Sequence, residues 1–222
     1  MSLAQERYTR WTTDPNFDEA TRAELLALAG DAKEIEDRFY MDLEFGTAGL
    51  RGVLGAGTNR MNFYTVARAS EGFARFLAGQ GEAVKDRGVA ISYDSRRYSP
   101  EFATLSARIF VSHGIKVYLS DELRPVTMLS FAIRHFQTAG GVMITASHNP
   151  AKYNGYKAYG EDGGQLPPEA ATVVADVMNS IEDFPPLLKC LSEAEARQTG
   201  LWVDIGADLD AAYTAMLEKL AI

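Results

Sequence analysis

The chain holds 222 residues, 46% of them hydrophobic, with 22 Lys+Arg against 30 Asp+Glu and a formal charge of −8. At ~150 residues per domain this length allows one large domain or one domain plus part of another, and roughly 70% of the unfolded surface can be buried without a disulfide or metal staple. The acidic excess argues against nucleic acid or an anionic membrane as the main partner, since phosphate backbones are held by clustered Lys/Arg, but it leaves room for a local basic pocket.

Cys190 is the single cysteine, so no intrachain disulfide forms, which suits a reducing cytoplasm. No apolar run approaches the ~20 residues that span a bilayer, and residues 1–7 lack a signal-peptide core. These features favour a soluble α/β protein.

The first forty residues read as helices. Asp14 or Asp18 can cap a helix over 19–29, where Leu25, Leu26 and Leu28 form an apolar face before Gly30-Asp31. Residues 32–41 predict a further short, charged helix. The texture then changes, with five glycines among the sixteen residues Glu44 to Asn59. This reads as a loop with no regular element, its backbone at positive φ or in close approach to something.

An amphipathic helix follows, carried by Phe63, Val66, Ala67, Ser70, Phe73, Ala74 and Leu77, and stopped at Gly79-Gln80-Gly81. From Gly88 a regular rhythm sets in. Strands over 88–93, 115–119 and 141–145 alternate with helices over 99–113 and 125–136, which predicts a parallel three-stranded core. Only ten residues, Pro150 and Gly155 among them, separate the third strand from Tyr156-Lys-Ala-Tyr159. No crossover helix fits there, so the fourth strand should run antiparallel. A helix over 169–182 ends at Phe184-Pro185-Pro186, a polar stretch to Gly200 reads as a linker, and 207–220 predicts a last helix without partner strands.

The most chemically loaded phrase is Thr145-Ala-Ser-His-Asn-Pro150, at the C-terminal end of the third strand, the edge where open α/β sheets bind ligands. It sets the Ser147 hydroxyl on a tight turn beside His148 and Asn149; an ordinary turn uses the same residue types. A nucleophile elbow would need Gly-x-Ser-x-Gly, whereas the flanks here are Thr145 and Asn149, so a serine hydrolase is excluded. The glycine-rich segment can cradle phosphate oxygens, with Arg51 as a bidentate cation, or serve as a connector. It is neither a dinucleotide fingerprint, since Gly55-Ala-Gly57-Thr-Asn-Arg60 ends in Arg, nor a Walker loop.

Tyr93-Asp-Ser-Arg-Arg97 closes the first strand, and Asp94 there suits a supporting role. Lys157 reaches the serine rim only if the fourth strand runs back beside the third. His113 and His135 read as helix-end packing. Asp204, Asp208 and Asp210 resemble a metal cluster, but Asp208 and Asp210 open a helix, where acidic residues suit the macrodipole.

Together, Glu44-Phe-Gly-Thr-Ala-Gly-Leu-Arg-Gly52, Asn59-Arg-Met-Asn62, Tyr93-Asp-Ser-Arg96, Thr145-Ala-Ser-His-Asn-Pro150, Tyr153-Asn-Gly-Tyr-Lys157 and Asp162-Gly-Gly-Gln165 resemble the α-D-phosphohexomutase superfamily, in its phosphoglucomutase/phosphopentomutase-like branch. The likeness is dense from about Leu43 to Gln165. It implies a three-layer α/β/α domain with a mixed four-stranded sheet, three strands parallel and one antiparallel. Ser147 would be phosphorylated and exchange that phosphoryl group with a sugar phosphate. His148 would line the site, and Arg51 and Lys157 would manage protons and charge. Asn149, Asp94, Arg96 and Gly52 would support these groups.

Mg²⁺ would bind an oxygen of the Ser147 phosphate, and glucose 1,6-bisphosphate would be intermediate and activator. The metal-binding Asp-x-Asp-x-Asp-Arg loop, the sugar-recognition loop and the phosphate clamp of the superfamily's later domains are absent from this sequence. The expected division is therefore a catalytic-serine domain over 1–190, then a linker and the first helix of a second domain over 191–222. Such a unit folds but does not turn over substrate unaided, and its partners are a phosphosugar, the remaining domains and, through exposed apolar surface, other copies. Two alternatives are a stand-alone phosphosugar-binding or regulatory module and a mutase acting on pentose, mannose or glucosamine phosphates.

Overall fold

The computed structural model describes residues 2–46 and 49–220. Thr47 and Ala48, inside the Phe45–Gly49 phrase, lie outside the described residues. The chain opens with α1 (Leu3–Thr13), α2 (Glu19–Leu26) and α3 (Ala32–Phe39). Each begins where a side chain accepts an otherwise unpaired backbone N–H: Ser2 from Gln5, Asp18 from Thr21, and Asp31 from Glu34. Their apolar faces meet in a core of their own. There Trp11 stacks on Phe17 at 4.4 Å between centroids and meets Phe39, Tyr64 and Phe184 edge-on.

Tyr64 belongs to α4 (Phe63–Ala78), so this aromatic cluster fastens the leading helices to the main body. Its hydroxyl donates to Asp18 Oδ2 and accepts the Asp18 N–H, both at 2.8 Å. Burial pushes that hydroxyl up to about 12 from an ordinary 10.0. A raised folded-state value means the stabilisation is complete below the ordinary value and is lost as pH climbs through the folded one. Tyr64→Phe should therefore flatten the fall in stability across this alkaline window, measured by urea unfolding at stepped pH. An unchanged slope would show that Tyr64 does not couple to unfolding.

Among the described residues six strands make one sheet: β1 (Leu50–Val53), β2 (Val89–Tyr93), β3 (Val117–Ser120), β4 (Gly140–Ile144), β5 (Tyr153–Tyr159) and β6 (Trp202–Ile205), in the spatial order β1-β5-β4-β2-β3-β6. The ladders among β4, β2, β3 and β6 are parallel, while β5 runs antiparallel to β4 on one side and β1 on the other. Helix α6 (Ser99–Ser112) links β2 to β3, and α7 (Val126–Phe136) links β3 to β4. Short α5 (Glu82–Arg87) precedes β2.

On one face α4, α6 and α8 (Pro168–Asn179) bury Phe73, Phe102, Phe110 and Val174 against Ile91, Val142 and Tyr156. On the other, α7 and α10 (Ala207–Glu218) set Leu129, Ile133 and Leu209 against Ala90, Met143 and Ile205. With helices on both sides, β4 is buried at every position, as a strand covered on both faces must be. No described helix is long and apolar enough to cross a membrane.

The four expected strands are present as β2, β3, β4 and the reversed β5, and two more complete the sheet. β1 lies within the glycine-rich segment expected to hold no regular element. Leu50 and Gly52 are buried and Arg51 exposed, and the ladder to β5 supplies the order that local composition withholds. β6 lies within residues 191–222, expected as linker and helix. Behind the polar helix α9 (Glu193–Gln198), Trp202 and Ile205 are buried and the strand pairs fully with β3. The linker reading fails because α9 masks a four-residue strand, too short to announce itself by alternation.

Candidate active site

The chain leaves β4 at Ile144, makes a compact loop over 145–152 and returns as β5. The Thr145 N–H donates to the Gly155 carbonyl at 3.0 Å, tying the base of the loop to β5. Asn149 folds it by donating its backbone N–H and its Nδ2 to the Ala146 carbonyl at 3.1 and 2.8 Å. At the apex stands Ser147, exposed, with φ of 56°. That left-handed conformation costs a residue other than glycine roughly 1–2 kcal/mol, so the surroundings must impose it.

Arg96 supplies much of the imposition. From the loop after β2, its Nη1 donates to the carbonyls of Pro150 and Tyr153 at 3.1 and 3.0 Å, and its Nη2 to those of Ser147 and Asn149 at 2.8 and 2.6 Å. One planar guanidinium thus gathers four carbonyl oxygens of the loop, a task its fork geometry suits and an ammonium's does not. Asp94, at the end of β2, accepts the Arg96 N–H at 2.9 Å and the Ser99 hydroxyl at 2.8 Å on Oδ1. Asp94 and Arg96 are therefore spent on the loop's architecture.

Register brings the two expected cations together. Arg51 on β1 lies opposite Gly155 on β5, and Lys157 follows Gly155 by two residues, so both side chains share one sheet face diagonally. Gly155 itself has no room for a side chain. A Cβ there would stand 2.6 Å from the Thr145 carbonyl oxygen and 2.9 Å from that of Leu50. A cleft of about 400 Å³ is lined by Glu44, Arg51, Asn59, Thr145, Ser147 and Lys157 among others. Among the described residues neither Arg51 nor Lys157 has a carboxylate within ion-pair distance. Both cations line the same cleft as the exposed serine. The His148 imidazole sits beside the cleft, its Nδ1 3.3 Å from Ser147 Oγ.

Gly52 is buried beneath Leu43, whose side chain would lie 3.1 Å from an added Cβ. Gly49 is more constrained, with φ of 84° and the Tyr156 carbonyl oxygen 2.0 Å from where a Cβ would stand. Gly49→Ala should cost about 2–4 kcal/mol, from the left-handed backbone and the overlap with β5. A urea midpoint equal to wild type would show that this wall of the cleft yields freely.

Other candidates resolve as structural. His113 Nε2 meets Glu71 Oε2 at 2.9 Å, and that contact holds the Glu71 carboxyl below the usual range. The His135 ring stacks on Phe131. Asp210 takes a bidentate contact from Arg124 at 2.7 and 2.9 Å, while Asp204 is held by Arg197 and Trp202. Among the described residues no group of three His, Cys, Asp or Glu side chains converges as a metal site. Glu44 is the one carboxylate among the cleft residues, so these residues do not fit a complete Mg²⁺ site. Thr145, Asn154 and Asn59 lie within the quoted motifs and Ser99 at a predicted helix start, yet none is assigned a role there, because the contacts of each depend on distances across strands.

Fold and site together define a class: an α/β/α domain that presents a serine hydroxyl on a left-handed turn at the carboxyl edge of its sheet, in a cleft shared with two cations that have no ion-pair partner among the described residues. Residues 42–184 match the phosphoglucomutase/phosphomannomutase alpha/beta/alpha domain I family. A phosphoglucomutase of Staphylococcus epidermidis is 45% identical over 150 residues, covering 68% of this chain and 27% of that protein. A phosphopentomutase of Mus musculus is 37% identical over 186 residues, covering 81% of this chain and 30% of its own. A solved structure from Thermus thermophilus, carrying a provisional phosphomannomutase name, superposes with a TM-score of 0.56 at 34% identity over 62% of this chain and 30% of its own. The chain thus belongs to the phosphoglucomutase/phosphomannomutase family through its first domain, and it spans less than a third of the length of these relatives.

Proposed function

We propose that this chain carries the phosphoryl-transfer serine of a phosphosugar mutase, which moves a phosphoryl group between C1 and C6 of a hexose through a phosphoserine and a bisphosphate intermediate. The observation that supports this most is the exposed Ser147 hydroxyl in a cleft shared with Arg51 and Lys157, which have no carboxylate partner among the described residues. Phosphoryl transfer needs in-line placement and neutralised charge more than covalent ingenuity. A phosphate on Ser147 Oγ would share the cleft with the two cations, whose charge opposes that of its non-bridging oxygens.

In the forward half, a sugar hydroxyl attacks phosphorus, the P–Oγ bond breaks, and the proton of the attacking hydroxyl passes to a basic group. Arg51 and Lys157 line the path of that hydroxyl. The leaving Oγ regains a proton, and His148 Nδ1 lies within reach of it. The second half reverses these steps from the other end of the bisphosphate. Mg²⁺, which family membership implies, would need ligands beyond a Ser147 phosphate and Glu44, and no step here runs through it. The relatives extend well beyond the matched region, and the sugar-recognition groups and metal ligands belong, on this reading, to those further domains. A cytoplasmic role in carbohydrate metabolism accords with the single cysteine.

The test is transfer in the full-length protein: glucose 1,6-bisphosphate should be consumed as the protein gains one phosphate and releases a glucose monophosphate. Tight binding without transfer would favour a binding module. Ribose 1,5-bisphosphate serves as the parallel donor, because relatives named for glucose and for pentose phosphates both match; faster transfer from it would move the substrate to pentoses.

A further inference from the structure

Beneath the serine loop, polar side chains from three strand ends and a helix form one continuous hydrogen-bonded chain. Asn154 Nδ2 donates to Ser99 Oγ at 3.0 Å, and Ser99 donates to Asp94 Oδ1 at 2.8 Å. Thr145 Oγ1 donates to Asp94 Oδ2 at 2.6 Å and accepts the Ser147 N–H at 2.9 Å. Ser99 and Asn154 are fully buried and Thr145 nearly so.

The direction of each bond is fixed by chemistry. An ionised carboxylate only accepts, so the Thr145 hydroxyl hydrogen points at Asp94 and a lone pair is left for the Ser147 N–H. Bonds to a charged acceptor are the stronger kind, and each bond in such a chain polarises the next. The chain ends on the residue whose backbone sits in the left-handed region, where it would not rest unaided.

We propose that Thr145 is a positioning residue, which holds Ser147 in its left-handed conformation by accepting the Ser147 N–H and so aims the hydroxyl into the cleft. Its hydroxyl is engaged on both sides and is not needed to touch a sugar or a phosphate. Asp94, Ser99 and Asn154 act through it by fixing where that hydroxyl points. The functional meaning rests on the phosphoserine reading of Ser147; the structural claim does not.

The test is amide hydrogen exchange of the 222-residue chain, read at Ser147 by nuclear magnetic resonance. Although Ser147 is exposed, its amide should exchange at least about tenfold more slowly than an unbonded coil amide. Thr145→Val, nearly isosteric, should abolish that protection while the amides of Ile91 and Val142 in the central strands keep theirs, and Thr145→Ser should restore it. An unprotected Ser147 amide in the wild type overturns the proposal without any variant. So does protection that survives Thr145→Val in a folded chain, or that Thr145→Ser fails to restore.

In the full-length protein, Thr145→Val should lower the maximal rate of phosphate uptake from glucose 1,6-bisphosphate by about tenfold or more, leaving the half-saturating donor concentration unchanged. A wild type that takes up no phosphate defeats the mutase reading, while the exchange data still decide the positioning role.

Discussion

Replacing Ser147 with Ala in the full-length protein should stop phosphoryl transfer, lowering turnover by at least about 10⁴-fold, as loss of a covalent carrier does. The side chain is exposed and its backbone is held by partners outside it, so stability should move by less than about 1 kcal/mol. Ser147→Gly separates chemistry from strain. It removes the hydroxyl and also the cost of the left-handed backbone, and should gain about 1 kcal/mol while remaining equally inactive. Denaturant titration beside a coupled assay for glucose 6-phosphate reads both quantities. An active Ser147→Ala protein would refute the assignment; a Ser147→Gly protein no more stable than wild type would show that the apex is not strained.

The second large effect belongs to Arg96. Arg96→Lys keeps the charge and loses the fork, and three ammonium hydrogens cannot reproduce a planar grip on four carbonyls. Misplacement of a reacting oxygen by about 1 Å costs about 10²-fold, and that is the expected fall in kcat, with KM for the sugar phosphate within a few-fold of wild type. Stability should drop by about 1–3 kcal/mol as the carbonyls lose charged donors. A variant with wild-type kcat would mean that the loop holds its shape without the clamp. A loss confined to KM would place Arg96 in substrate binding instead.

The residues proposed to carry chemistry are more legible in the sequence than those that arrange them. Ser147 and His148 stand together in a phrase at the end of an apolar run, and the short return to Tyr156 excludes a crossover helix, so the reversed β5 follows from chain length alone. Lys157 and Arg51 become neighbours through a register that no local pattern encodes. That register pairs Arg51 with Gly155, where a Cβ would run into two carbonyl oxygens.

β1 and β6 escape because each has four residues and draws its order from a ladder to a distant strand. Asp94 and Arg96 signal a supporting role by their place after β2. The four carbonyls that Arg96 gathers, however, lie over fifty residues away, visible only once β2 and β4 are side by side. Asp204 and Asp210 show the reverse case, a metal-like spacing consumed by Arg197 and Arg124.

If one oxygen, Ser147 Oγ, carries the phosphoryl group, the group can be located on it directly. The full-length protein is treated with glucose 1,6-bisphosphate, quenched, digested and mapped by tandem mass spectrometry. One phosphate per chain is expected, on Ser147, removed again by glucose 1-phosphate. Phosphate on the exposed Ser95 of the neighbouring loop, or continued turnover with Ser147 never labelled, would contradict that expectation.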